Sequence, residues 1–133
     1  MMKRRLPATA EEWLSHAESD LNLAKLGQAD KNILHEQICF HAQQTAEKAI
    51  KSVLLFQKID FPLTHDLEEL IDILETTEIS LPGFINEIGM LTPYAVETRY
   101  PGFWGEITEG DVDEALSLAG KVLNWAKTQL KLT

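Results

Sequence analysis

Five polar residues in the middle of the chain have the spacing needed to act together. Gln37, His41, Gln44, Lys48 and Lys51 recur at intervals of four, three, four and three, which places them on one continuous stripe of a helix. On such a stripe His41 can exchange a proton near neutral pH, Gln44 can donate and accept, and the two lysines can hold a phosphate or carboxylate. The competing reading of the same residues is a solvated face, or a polar seam between subunits.

A second group lies in Tyr94-Ala95-Val96-Glu97-Thr98-Arg99-Tyr100-Pro101. Arg99 is the only arginine outside the N-terminal tail. Its planar guanidinium suits bidentate contact with phosphate or carboxylate, and Tyr94 and Tyr100 could stack on a base or bond the ligand. Alternatively, Arg99 pairs with Glu97 or another acid while the tyrosines cover the core. His65-Asp66 is a less promising pair, because adjacent helix residues point apart, and a capping or packing role is expected for both.

No metal site and no cofactor are expected. His35 and His41 are six residues apart, no His-x-x-x-His or Glu-x-x-His pair is present, and the sole cysteine, Cys39, excludes an intrachain disulfide or a cysteine cage. His16 is expected on a helix surface. Gly-x-Gly-x-x-Gly, Walker and Gly-x-Ser-x-Gly motifs are lacking, so the familiar phosphate-cradling and acyl-transfer classes are unsupported.

The formal charge of −9 argues against broad adhesion to nucleic acid or anionic lipid. Residues 59–115 carry fourteen acidic residues and one basic one, Arg99, so any anion site must be local. With 133 residues, 44% hydrophobic and 25% charged, the expectation is one domain over 1–133 with a tail at 1–8. Neither a membrane-spanning run nor a signal-like apolar stretch is seen, and a cytoplasmic location is expected.

Several elements would position these residues. Thr9-Ala10-Glu11-Glu12 has the capping-box form, and Trp13, Ala17, Leu21 and Ala24 give a helix over 10–26, with Gly27 as its left-handed stop. From Asn32 to Lys58 there is no proline or glycine, and helical spacing persists until Pro62 approaches. Thr64 is expected to cap a short third helix that buries Leu67, Leu70, Ile71 and Leu74.

A weaker helix is expected over Leu81–Leu91, where Pro82, Gly83 and Gly89 interrupt the pattern. Thr92–Gly110, with two prolines and three glycines, reads as an irregular connection. In the last segment Val112, Leu116, Ala119, Leu123, Ala126 and Leu130 form an apolar stripe, with acids at its start and Lys127 and Lys131 near its end. The fold class is all-α, an antiparallel up-and-down helical bundle of four to five helices.

Three segments in order carry a family resemblance: Cys39-Phe40-His41-Ala42-Gln43-Gln44-Thr45-Ala46-Glu47-Lys48-Ala49-Ile50-Lys51, then Thr64-His65-Asp66-Leu67, then Thr98-Arg99-Tyr100-Pro101. From about Glu11 to Lys131 the chain resembles the HEPN family, the higher eukaryotes and prokaryotes nucleotide-binding domain. The resemblance implies a helical bundle that forms a homodimer, often encoded beside a minimal nucleotidyltransferase with which it forms a complex, as in a toxin–antitoxin-like pair.

Some family members are toxin ribonucleases that carry an arginine followed after four to six residues by a histidine. Here the corresponding positions after Arg99 hold Trp104, Gly105 and Glu106, and neither Arg4 nor Arg5 has a histidine at those offsets. RNA cleavage without metal needs a base for the 2′-hydroxyl proton and an acid for the leaving oxygen. The expected role is therefore a noncatalytic module that binds a nucleotide or a partner nucleotidyltransferase through His41, Gln44, Lys48, Lys51, Tyr94, Arg99 and Tyr100. The alternatives are an RNA endonuclease with Arg99 and His41 as its catalytic groups, or a structural dimerisation domain.

Overall fold

Why the chain becomes a bundle is visible in how each helix starts and stops. The computed structural model describes residues 8–95 and 105–131. Helix α1 spans Ala10–Gln28, opened by the expected capping box: the Glu12 amide donates to Thr9 Oγ1 at 3.1 Å, and Glu12 Oε1 accepts from the Thr9 amide at 3.3 Å. Its core face is Ala10, Leu14, Ala17, Leu21 and Ala24. Trp13 sits half-buried at the edge of that face, because Leu14 takes the inward position.

Gly27 does not stop the helix. It lies within α1, and a Cβ there would stand 3.2 Å from both Ile33 Cγ2 and Ile38 Cγ1. This glycine permits close approach of the following loop and helix, and the helix closes at Ala29, whose amide reaches the carbonyls of Lys25 and Leu26.

Helix α2 spans His35–Phe56, three residues shorter at its start than the sequence implies. Residues 30–34 form a turn instead, in which the Asn32 amide donates to Asp30 Oδ1 at 2.9 Å. At its other end the Ile59 amide donates to the Leu54 carbonyl at 2.9 Å and the Lys58 amide to the Leu55 carbonyl at 3.0 Å. This is a Schellman ending, with Lys58 in the left-handed position at φ 59°.

Helix α3 spans Leu67–Glu75 and buries Leu67, Leu70, Ile71 and Leu74 as expected. Its cap is Asp66, not Thr64: Asp66 Oδ1 accepts from the Glu68 amide at 2.9 Å, while Thr64 Oγ1 accepts from the Asp66 amide. The helix expected over Leu81–Leu91 is a 3-10 segment at Ile85–Ala95 with Pro93 inside it. Proline cannot supply the amide that a continuous α-ladder needs, and tighter i to i+3 turns accommodate it. At Gly89 an added Cβ would lie 2.7 Å from Glu68 Cγ, so α3 and the 3-10 segment touch closely there.

Helix α4 spans Glu109–Gln129 and opens with a second capping box, Thr108 with Asp111. The expected irregular connection, Thr92–Gly110, includes the end of the 3-10 segment, the non-helical residues 105–108 and the start of α4. Positions 96–104 lie outside the described residues.

Side-chain pairs fix the helix directions. Gly27 meets Ile38, Asp20 meets His41 and Lys48, and Trp13 meets Lys51, so α1 and α2 run antiparallel. Gln28 bonds Asp113 and Glu18 pairs with Lys127, so α4 also opposes α1. The core joins Leu14, Leu21, Ile50, Leu54, Leu70, Ile88 and Leu123, with α2 in contact with every other element.

The Lys58 geometry gives a test. Lys58→Gly relieves the Cβ clash of a left-handed backbone at the cost of extra unfolded-chain freedom, and should raise stability by about 0.5–1 kcal/mol. Urea unfolding monitored by circular dichroism checks this; a loss of stability would contradict the assigned helix ending.

Candidate functional site

The central position of α2 decides what becomes of its polar residues. Helices α1, α3, α4 and the 3-10 segment cover α2, and Gln43, Thr45, Glu47, Lys51 and Ser52 are all buried. A buried charge is tolerated only when paired and hydrogen-bonded. Lys51, 4% exposed, meets this demand by donating to Glu47 Oε2 at 3.0 Å and to the Thr64 carbonyl at 2.9 Å. Its ammonium also lies 5.6 Å from the Trp13 ring centre and 5.8 Å from that of Phe61.

Glu47 is satisfied from three directions. Besides Lys51, its Oε1 accepts from Gln43 Nε2 at 3.2 Å and meets His65 Nδ1 at 2.9 Å. Gln43 also donates to the His65 carbonyl, and the half-exposed Gln44 donates to Gln43 Oε1 at 2.7 Å. This interior network ties α2 to the segment before α3. Asp66 thus caps α3, while His65, largely exposed, bonds the buried Glu47 rather than packing into the core.

The stripe therefore does not present all its donors in one direction. Lys51 points inward, whereas His41 and Lys48 close on Asp20 of α1. His41 Nδ1 is 3.1 Å from Asp20 Oδ1, and Lys48 Nζ is 2.7 Å from Asp20 Oδ2. The Phe40 ring stands edge-on to the imidazole, with centres 5.2 Å apart.

His41 and Gln37 also line a groove of about 530 Å3 between the end of α1 and the start of α2. Its walls are mainly Leu23, Leu26, Gly27, Ile33, Leu34 and Ile38. Leu26 and Leu34 are 69% and 60% exposed, an unusual amount of apolar surface in one place. The volume falls in the range of small-molecule sites.

Tyr94 lies elsewhere. It shares a side-chain hydrogen bond with Cys39, near Asp111 and Glu114 of α4. Residues 39 and 41 are about 200° apart around a helix, so Tyr94 and His41 lie on opposite sides of α2. Burial pushes the Cys39 thiol up to about 11, with Asp111 adding to the rise and the Tyr94 bond opposing it. Tyr94 is raised to about 12, first by burial and then by the charges of Cys39 and Asp111.

The expected ligand residues Arg99 and Tyr100 lie outside the described residues. His16 is exposed on α1 as expected, and His35 Nδ1 pairs with the Ile107 carbonyl at 2.7 Å, joining the start of α2 to the approach to α4. Among the described residues no group of three or more His, Cys, Asp or Glu could hold a metal ion.

Two residues were missed by reading the sequence for sites. Asp20 follows Ala17 by three and precedes Ala24 by four, spacing that puts an acid at the edge of the core face of α1. Glu47 precedes Lys51 by four, the spacing of an ion pair on one helix face.

A bundle with its polar chemistry concentrated on one central helix is the class these features define. Residues 10–129 match the HEPN domain family, and the chain belongs to it. A Methanocaldococcus jannaschii protein named "Putative toxin MJ1304" is 29% identical, with 92% of this chain and 88% of that protein covered.

Two crystal structures are also similar. ST0689, an archaeal HEPN homologue, is 30% identical with a TM-score of 0.71, covering 92% of this chain and 98% of that one. TT1696 from Thermus thermophilus is 26% identical with a TM-score of 0.75, covering 90% and 97%. Among the described residues no helix is long and apolar enough to cross a membrane.

Two tests follow from the buried groups. Lys51→Met alone should destabilise by about 3–5 kcal/mol because it leaves the buried Glu47 charge without its ammonium partner, and adding Glu47→Leu should restore part of the loss. A double-mutant cycle by urea unfolding checks this; strictly additive losses would contradict the pairing.

The second concerns alkaline pH. Folding raises the proton affinity of Cys39, so its contribution is fully present below pH 9.0 and is lost as pH rises through about 11. Thermal stability should fall across that window, and less steeply in Cys39→Ala. Equal slopes for the two proteins would contradict the assignment.

Proposed function

We propose that the protein is a noncatalytic HEPN module that works as a homodimer, binding a nucleotide, a minimal nucleotidyltransferase partner in a toxin–antitoxin-like pair, or both. One observation carries this reading: His41, with Lys48 beside it on the same Asp20 carboxylate, stands at the end of an apolar groove of small-molecule size. Leucine and isoleucine walls suit the faces of a base, and Gln37 and Asn32 offer amides to its edge. As an imidazolium, His41 can donate from Nε2 to a phosphate, with Gln44 and Lys48 one and two turns farther along α2.

The acidic balance of the chain favours such a local site over a broad RNA-binding surface. Tyr94 is assigned to the partner or to the far end of a longer ligand, since it bonds on the opposite side of α2; Arg99 and Tyr100 are proposed as further ligand or partner contacts on their chemistry alone. Lys51 serves the site indirectly by fixing α2 through Glu47. The cytoplasm is the compartment proposed.

The relative named as a toxin favours a second reading, a metal-independent ribonuclease in which Arg99 stabilises the phosphorane and His41 carries protons. The missing arginine-to-histidine spacing places it behind the binding role.

Calorimetric titration with AMP, ATP, GTP and a short RNA, together with pull-down of a minimal nucleotidyltransferase, tests the proposal. A mononucleotide should bind, and His41→Ala should weaken it about tenfold, equivalent to about 1.4 kcal/mol. No binding of any nucleotide or partner would overturn the reading. RNA cleavage in EDTA that disappears in Arg99→Ala would establish the second one instead.

A further inference from the structure

The Asp20–His41 contact does more than join two helices. A carboxylate held at its other oxygen by the Lys48 ammonium can only accept, so the nitrogen facing it, His41 Nδ1, must carry the proton. In a neutral imidazole that leaves Nε2 as the unprotonated nitrogen; in an imidazolium Nε2 becomes a donor. Either way the bond at Nδ1 selects which nitrogen is available to a ligand.

Two features make the geometry stiff, and a third makes it reachable. Asp20 is largely buried, with its carboxylate tied to α2 at both oxygens, to residues 41 and 48 two turns apart. The Phe40 ring stands across the imidazole at 75°, restricting its tilt. His41 remains about a quarter exposed where it lines the groove, so the imidazole is reachable. Among the described residues the imidazole's bonded nitrogen is Nδ1.

We propose that Asp20 is a positioning residue, which keeps the proton on His41 Nδ1 and turns Nε2 toward the groove, where the neutral ring accepts from a ribose hydroxyl and the imidazolium donates to a nucleotide phosphate. This deepens the binding role proposed above and rests on it for the identity of the ligand. The orientation of the imidazole itself does not depend on that role. Lys48 has a distinct part, neutralising Asp20 so that the carboxylate does not repel an approaching anion.

Long-range proton–nitrogen correlation spectra of the His41 ring test the tautomer in the intact protein, at a pH where the imidazole is neutral. The wild-type ring should show a protonated Nδ1 and an unprotonated Nε2. Asp20→Asn should shift the population toward the Nε2-protonated form, since the introduced amide can donate to Nδ1, and circular dichroism should show the helices retained. A predominantly Nε2-protonated wild-type ring, or a folded Asp20→Asn protein with an unchanged tautomer, would overturn the proposal. The wild-type spectrum decides the point even if the variant does not fold.

Titration with AMP separates this inference from the function it rests on. Movement of the His41 Nε2 resonance on adding AMP, at least threefold smaller at equal AMP in Asp20→Asn, supports both. A fixed Nδ1-protonated ring whose Nε2 resonance ignores AMP overturns the ligand assignment while Asp20 keeps its orienting role.

Discussion

One helix surrounded on nearly every side sets the terms for this protein. Because α2 is covered by the rest of the bundle, each polar residue along it must either find an internal partner or reach the surface through a gap. Glu47 and Lys51 take the first course, with Gln43, His65 and the Thr64 carbonyl completing their bonds. His41 and Lys48 take the second, meeting Asp20 at the edge between α1 and α2. A continuous stripe in the sequence thus becomes an interior brace and a surface cluster.

The brace and the cluster are mechanically linked. Lys51 and Glu47 secure the later turns of α2 to the approach to α3, and His35 secures the first turn to the approach to α4. Gly27 lets the start of α2 close against α1, so the groove walls and the imidazole belong to packed helices. Preorganisation of this kind reduces the ordering that a ligand must bring about on binding.

Much of the fold was legible in the sequence because caps and helical spacing are local signals. The Thr9 box, the apolar face of α3 and the long uninterrupted α2 were all readable. Gly27 misled because one residue type serves two purposes, a left-handed stop and close packing, and only the neighbours Ile33 and Ile38 distinguish them. Asp66 displaced Thr64 as a cap because Thr64 was already occupied by the Asp66 amide. Periodicity placed Lys51 and His41 on one face, but the angular width of a face is large enough for one to be buried and the other wet. Asp20 was overlooked because its importance lies in a contact across 21 residues of sequence.

The central claim is that this chain recognises a nucleotide in the groove that ends at His41. A crystal of the protein soaked with AMP tests it most directly. Difference density should show the base between Leu23 and Ile33 and the phosphate or ribose within hydrogen-bond distance of His41 Nε2. A nucleotide seated beside Tyr94, or elsewhere on the bundle with the groove vacant, would contradict the account.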